Sequence, residues 1–534
     1  MRQVNQPGVL SMPLPFVPRK SLLIALCSGL LLMTCGGLPA PVQATPAQTA
    51  TLSRDDIRWL QRASFGIDSA TLASYRQLGR RRWLDAQLAD RHDTLPPAIG
   101  ALIASYPAIS TPPAELLRAA IEARRRLKSM PAGDARVAAK KALQKRAREL
   151  GQQAQQAELL HAIYGSNPLK EQMVWFWLNH FSVYGAKGGV RLVAADYEEH
   201  VIRPHALGKF RDLLLATLKS PAMLEFLDNA KNVRGKTNEN YARELMELHA
   251  LGVGSGYTQQ DVQQLALILT GAGIAPRAQP RFVGRTRLGF VRDGQFVFNP
   301  NKHDFSEKTL LGQRIRGSGY AEIEQALELI TRQPACAQFV SRQLAEYFVA
   351  DQPPKALVDA MARTFRRSDG DIAAVLRTMF DSPALLHGSG RKFKDPTQFL
   401  VSAMKLAYDG QPIANARPLL NWLNRMGEPV FGRITPDGWP LDGASWSGSG
   451  QMAARFEVAR AIGSGRNRLF IAESDDADHV TPASRPAVPA LDTPLYRQTL
   501  QPYLSAATRL ALGKATSAQE WNTYLLSSPD FNYR

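Results

Sequence analysis

From Asp55 onward the chain is written in helical periodicity, and this constrains its fold more than any other feature. Apolar residues recur at helical spacing over 55–63, 69–87, 209–219, 239–251, 258–270, 321–330, 334–349, 355–366, 371–380 and 396–408. Residues 114–165 read as long polar helices. The aromatic run Leu169–Phe181, with Trp175, Phe176 and Trp177, reads as a helix buried on all sides. Ser220-Pro221, Ser382-Pro383 and Ser528-Pro529 pair a capping residue with the residue favoured at the first helical position. Strand signals are few. The best is Arg287–Phe298, where Asp293-Gly294 lies between β-forming residues and predicts a hairpin. The expected fold is therefore mainly α, a multi-helix globular array with a small β-hairpin insertion. With 45% hydrophobic residues the chain can build a core, so disorder throughout is excluded.

The first 44 residues read as an export signal. Arg19-Lys20 precedes the apolar run Leu22–Met33, and Val42-Gln43-Ala44 places small residues at a cleavage site before Thr45. Lipid attachment at Cys35 is the alternative, disfavoured by Thr34 at its −1 position. A periplasmic or secreted protein with no later membrane span is expected. Removal of 1–44 takes away Arg2, Arg19 and Lys20 and no acid, so formal charge falls from +18 to +15. It also takes Cys27 and Cys35, leaving Cys336 alone; a disulfide framework and a thiolate zinc site are excluded. The remaining chain divides into N-terminal helices with a basic helical pair (45–165), a core helical segment (166–395) and a C-terminal helical region (396–534) containing a flexible link at 473–490.

The basic residues concentrate in Arg124-Arg-Arg126, Lys128, Arg136, Lys140-Lys141, Lys145-Arg146 and Arg148, around a break at Pro131-Ala-Gly133. A solvated helix face explains them most simply. Attraction to an anionic glycan or the cell-envelope surface suits the compartment, and nucleic acid is not expected outside the cell.

The densest polar constellation spans 225–270. On an α-helix over 239–251, Tyr241, Leu245, Leu248 and Gly252 form a buried stripe, and Asn240, Arg243, Glu244, Glu247 and Leu251 form another. Glu244 and Glu247 are i,i+3 neighbours, with Cβ atoms about 5–6 Å apart. Such a pair is a salt-bridged face, an acid/base pair for glycosidic-bond hydrolysis, or part of a metal site. Arg243 could neutralise Glu247. Glu247 and His249 are i,i+2 and diverge, so the metal reading ranks last, and neither metal nor cofactor is expected. Thr258 with Asp261 predicts a capped helix start after the Gly252–Gly256 loop. Asn179-His180 ends the aromatic helix, His303-Asp304 follows the hairpin, and Asp437-Gly-Trp439 with Trp446 forms a turn-rich loop whose indoles either anchor packing or stack on sugar.

Several ordered blocks resemble one family. They include Gln61-Arg-Ala-Ser-Phe-Gly66, Phe176-Trp-Leu-Asn-His-Phe181, Ile202-Arg-Pro-His205 and Pro221-Ala-Met-Leu-Glu-Phe-Leu-Asp-Asn229. The most specific is Asn238-Glu-Asn-Tyr-Ala-Arg-Glu-Leu-Met-Glu-Leu-His249, followed by Gly256-Tyr-Thr258, Leu269-Thr-Gly271, His303-Asp304 and Asp437-Gly-Trp439. From about Trp59 onward the chain resembles the bacterial domain-of-unknown-function family 1800. It departs at Ala272, where members usually carry Trp, and in the length of its basic pair. The resemblance implies an exported helical protein, often encoded beside a second exported family, 1501, similar to phosphatases and sulfatases. It implies no activity. The expectation is a polar cleft with Arg243, Glu244, Glu247 and His249 as catalytic candidates. Asn240, Asp228, His180, His303, Asp304, Trp439 and Trp446 are expected to bind an extracytoplasmic polysaccharide. The alternative is a non-enzymatic partner of a 1501-family protein.

Overall fold

The Ser-Pro pairs start helices as their chemistry requires. Ser220 Oγ accepts from Ala222 N at 3.2 Å, Ser382 Oγ from Leu385 N at 3.4 Å and Ser528 Oγ from Phe531 N at 3.2 Å, each with proline at the first helical position. A computed structural model describes residues 52–89, 94–275, 289–387, 391–472 and 488–534. The expected signal segment, with Cys27 and Cys35, and most of the expected link at 473–490 lie outside the described residues.

Twenty-four α-helical segments dominate the described residues, and Thr51–Arg534 form one compact unit. Periodicity placed most helix boundaries within a residue or two: Arg54–Ala63, Phe210–Lys219, Gln259–Ile268, Pro334–Phe348 and Pro396–Tyr408. The polar stretch resolves into Pro113–Ser129 and the 31-residue Asp134–Tyr164. At the centre lies Pro168–His180, started by Asn167, whose side chain accepts from Lys170 N. Its residues from Pro168 to Leu178 are all buried, including the polar Lys170, Glu171 and Gln172, each of which needs a partner inside. Trp177 Nε1 donates to Ala206 O at 2.9 Å, so even this indole has its partner.

Distant segments close on that helix. Gln172 Nε2 donates to Arg62 O at 3.0 Å, and Gln172 Oε1 accepts from Gln398 Nε2 at 2.8 Å and from Arg534 Nη1 at 2.7 Å. Cys336 is buried with a free thiol, which burial pushes up in pKa.

The hairpin forms where Asp293-Gly294 predicts it. Val291–Asp293 pairs antiparallel with Phe296–Phe298 across Gly294-Gln295, and Gly294 takes the left-handed φ of 53° that a tight turn needs. Ala272–Ile274 adds a third strand on the other side of Phe296–Phe298. A second small antiparallel pair joins Lys308–Leu310 to Gln313–Ile315. The mainly α architecture with a small β insertion is thus what the chain adopts. Among the described residues no helix is long and apolar enough to cross a membrane.

Candidate functional site

The Asn238–His249 motif does not form a single α-helix. Asn240–Glu244 is α-helical, and Leu245–Ala250 continues as a π turn in which Leu251 N donates five residues back, to Met246 O, at 2.9 Å. The wider turn changes which residues face inward. Tyr241, Leu245, Met246, His249 and Ala250 are buried, while Leu248 is half-buried. This corrects the expected stripe through Leu248, and His249, expected in the polar cleft, lies in the interior.

Arg243, Glu244 and Glu247 remain together, half-buried, on the outer face. Arg243 is oriented by several acceptors: Gln259 Oε1 at 2.8 Å, Glu239 Oε2 at 3.2 Å and Glu247 Oε1 at 3.5 Å. Gln259 Nε2 also donates to Glu239 Oε2 at 2.7 Å, so the first residue of the following helix ties back to the motif. Thr258 and Asp261 make the expected capping box at that helix start. Tyr257, from the glycine loop, hydrogen-bonds Glu247; burial, the charge of Glu247 and this bond push its phenol up to about 12. Glu244 is raised by burial first and by Glu247 second, with Asp437 adding to the shift and Arg243 opposing it.

Asp437 comes from the tryptophan loop, nearly two hundred residues away. Asn179, at the end of the central helix, clamps that loop: its Nδ2 donates to Trp439 O at 2.9 Å and its Oδ1 accepts from Trp439 N at 2.6 Å. Gly438 sits between them at φ 72°, where a Cβ would stand 2.3 Å from Asn179 O. Arg433 grips Asp437 through two bonds, at 3.0 and 2.6 Å, with its guanidinium 5.5 Å from the Trp439 ring centre. Trp439 is half-buried. Trp446 is buried, with Nε1 donating to Pro440 O at 2.9 Å, so it anchors the loop and offers no face for stacking on sugar.

The histidines behave differently from the expectation. His180 Nε2 donates to His249 O at 2.9 Å, and burial lowers its pKa to about 4. His249 packs 5.0 Å from the Phe181 ring and 6.2 Å from His180, and burial lowers it to about 3. Both belong to the aromatic core around the central helix, neutral at ordinary pH. His303 is wholly buried in another cluster. Its Nε2 bonds Glu322 Oε1 at 2.9 Å and its Nδ1 bonds Thr270 O at 2.8 Å, while Lys308 Nζ donates to Glu322 Oε2 at 2.7 Å and to Asp304 O. These contacts commit His303 to holding the hairpin region together. Asp304 is partly exposed, and its pKa is lowered chiefly by its bond from Ser306. Asp228 takes a left-handed φ of 61° and pairs with Lys187 and Lys231, each at 2.7 Å. Asn240 reaches the same turn by donating to Leu227 O at 3.1 Å.

The structure therefore brings together Arg243, Glu244 and Glu247 with Asp437 and the Trp439 loop. It links Asn240 to the turn of Asp228. His180, His249 and Trp446 go to the interior, and His303 with Asp304 joins a separate cluster. One family's sequence pattern matches residues 58–533. The chain belongs to the DUF1800 family. That family is described as a protein of unknown function. No curated protein and no solved structure matches the chain.

In this DUF1800 chain a second carboxylate cluster escaped the sequence reading. Glu158 and His161 on the long helix, Glu171 on the central helix, and Glu198 and Glu199 on a second π turn (Tyr197–Ile202) surround Arg203. Arg203 Nη1 pairs with Glu171 Oε1 at 2.5 Å, and Nη2 with Glu198 Oε1 at 2.9 Å and Glu158 Oε2 at 3.7 Å. His161 Nε2 meets Glu199 Oε1 at 3.0 Å. Glu158, Glu171 and Glu198 are wholly buried. Glu158 and Glu198 repel one another as anions in this dry site, which favours keeping a proton on the pair. Burial first, and the neighbouring acids after it, push Glu158 up to about 7 and Glu198 well up. Burial also acts to raise Glu199, but His161 and Arg203 outweigh it and hold that carboxyl down at about 2. The i,i+3 spacing of Glu158 and His161 was the available signal, and only the fold shows that their face is dry. Among the described residues, no group of three or more His, Cys, Asp or Glu could hold a metal ion.

Proposed function

We propose that this DUF1800 protein is exported and acts on an extracytoplasmic polysaccharide at the face of Glu244, Glu247 and Asp437. Glu244 serves as the general acid. Glu247 is the partner carboxylate, acting as base or nucleophile, and Arg243 and Tyr257 orient it. The observation that carries this reading is the convergence of three acids from two distant segments with Glu244 raised by burial and by Glu247. Partly buried neighbouring acids with different partners are a common preparation for acid/base work. The half-buried Trp439, positioned by Asn179, supplies an aromatic surface beside the acids.

Export rests on the apolar segment after Arg19-Lys20. The test is turnover on a panel of bacterial and algal glycans by the wild type, Glu244→Gln and Glu247→Gln. Loss of at least about a hundredfold in both variants is expected for an acid and its partner. Equal turnover in all three proteins refutes the catalytic assignment.

A second reading has its own support. Val253 on the glycine loop is 79% exposed and Ile434 on the tryptophan loop 70% exposed, and both loops border the carboxylate face, so the two side chains are available to a protein partner. In that reading the motif fixes the docking face for a 1501-family protein. Val253→Ser with Ile434→Ser should then abolish co-purification of the two proteins and leave glycan turnover, where present, intact.

A further inference from the structure

The basic helical pair forms an arm with no interior. From Ile121 to Glu149, through the end of one helix, the turn and the first half of the next, no residue is buried. The burial begins only at Leu150, after which the same helix enters the core. The first half of that helix, sixteen residues at about 1.5 Å each, reaches roughly 24 Å. Ten basic and three acidic residues lie between positions 121 and 149.

A cavity of about 650 Å³ runs along the arm where it meets residues 186–192. Arg124, Lys128, Arg136, Lys140, Arg148 and Arg191 line it, and no carboxylate does. Its floor is aliphatic, with Leu127, Leu143 and Leu192. None of the six cations makes an ion pair with an acid among the described residues, whereas acids elsewhere on the arm do, as between Lys145 and Glu149. Ile121 and Val137, flanking this groove in sequence, are 39% and 52% exposed. The turn between the helices, Met130-Pro-Ala-Gly133, carries no charge.

We propose that this arm docks on an anionic phospholipid surface, with the groove cations holding lipid phosphates and Ile121, Val137 and Met130 entering the interface. Cations around an aliphatic groove suit a ligand that is charged at one end and apolar at the other. Like-charged side chains with no acid between them repel, and an anionic surface relieves that repulsion. Exposed aliphatic side chains gain by entering the headgroup boundary, and basic residues beside them gain from the surface charge. A single-stranded nucleic acid would call for aromatic stacking faces, and residues 113–149 contain no Phe, Tyr or Trp. The arm lies on the bilayer and does not cross it, since its helices are too charged to span.

The test is co-sedimentation of the full chain with vesicles of phosphatidylcholine alone or mixed with phosphatidylglycerol, at low and high salt. Binding only to the mixed vesicles, weakened by salt, is expected. Each cation near an anionic surface is worth about fivefold in partition. Arg124→Gln, Lys128→Gln, Arg136→Gln and Lys140→Gln together should therefore cut binding by roughly a hundredfold or more. These positions are exposed, so circular dichroism should show an unchanged helical fold. Ile121→Ser with Val137→Ser, which leaves every charge in place, should weaken vesicle binding severalfold and leave binding to dextran sulfate or duplex DNA unchanged. Failure to bind mixed vesicles overturns the proposal, as does equal binding by the fourfold variant. Vesicle binding indifferent to the double serine variant, with dextran sulfate or DNA bound as tightly, makes the arm a polyanion site and also overturns it.

Discussion

Replacing Glu158 with Gln should make the protein more stable, and only above acidic pH. Glu158 is wholly buried in a cluster where Glu171, Glu198 and Glu199 share one guanidinium, that of Arg203. Its folded pKa is raised to about 7, mainly by burial, from an ordinary 4.5. Between those values the folded state holds a proton that the unfolded chain releases, so Glu158 makes stability fall as pH rises through that window. Below pH 4.5 both states are protonated and the residue costs nothing. Above pH 7 the whole penalty is present, about 3 kcal/mol at 1.36 kcal/mol per unit. Glutamine has nearly the same shape, needs no proton, and can donate its amide to Glu198. The variant should match wild type near pH 4 and exceed it by up to about 3 kcal/mol at pH 8. Guanidinium denaturation followed by far-UV circular dichroism at several pH values measures the difference. For a chain this long such a gain moves a melting midpoint by only about 3 °C, so denaturant curves are the better assay. A variant equally shifted at every pH, or less stable at pH 8, refutes the idea that Glu158 is held protonated by a dry, acid-rich site.

Two further substitutions probe the scaffold around the sites. Gly438→Ala places a methyl group 2.3 Å from Asn179 O at a left-handed φ, so it should cost about 1–3 kcal/mol in denaturant unfolding and release the tryptophan loop, seen as a red shift of Trp439 emission. Lys308→Met removes the buried cation from Glu322 Oε2 and should destabilise by about 3–5 kcal/mol at neutral pH, measured the same way.

Much of the scaffold was legible because helices of ten residues or more carry several turns of periodic signal. Ser-Pro caps, the Thr258/Asp261 box and the Asp293-Gly294 turn each rest on contacts within a few residues, and all formed. The strands Ala272–Ile274 and Lys308–Leu310 were not legible. Three residues are too few for an alternation to register, and both depend on partners beyond their own turn. The π turn at Leu245–Ala250 was invisible for a different reason. Its composition suits an α-helix, and only the hydrogen bond from Leu251 N to Met246 O, five residues back, shows that the backbone has opened by one residue. With that turn His249 and Ala250 lie in the interior, while Glu244 and Glu247 stay half-buried on the outer face. A sequence pattern gives the order of side chains along a helix, but their direction depends on the winding of every turn.

Charge shows a related division. The acids of the two buried clusters, Glu158, Glu171 and Glu198 in one and Glu322 in the other, are drawn inside, where one or two cations face each group. The bases at 124–148 are left outside, and among the described residues only Lys145 has an acid partner, Glu149. A protein whose positive charge served only solubility could spread it over every helix, at less mutual repulsion. Placing ten basic residues on an arm without a core makes sense when the repulsion is relieved by something the chain does not itself contain. The same field acts on the acidic face of Glu244, Glu247 and Asp437 with the opposite sign. An anionic surface that attracts the arm repels those acids within a Debye length of about 8 Å. Docking through the arm would thus turn the carboxylate face away from the surface. A carboxylate face that met the same anionic surface first would contradict this orientation, and fluorescence quenching of Trp439 by brominated anionic lipid would reveal it.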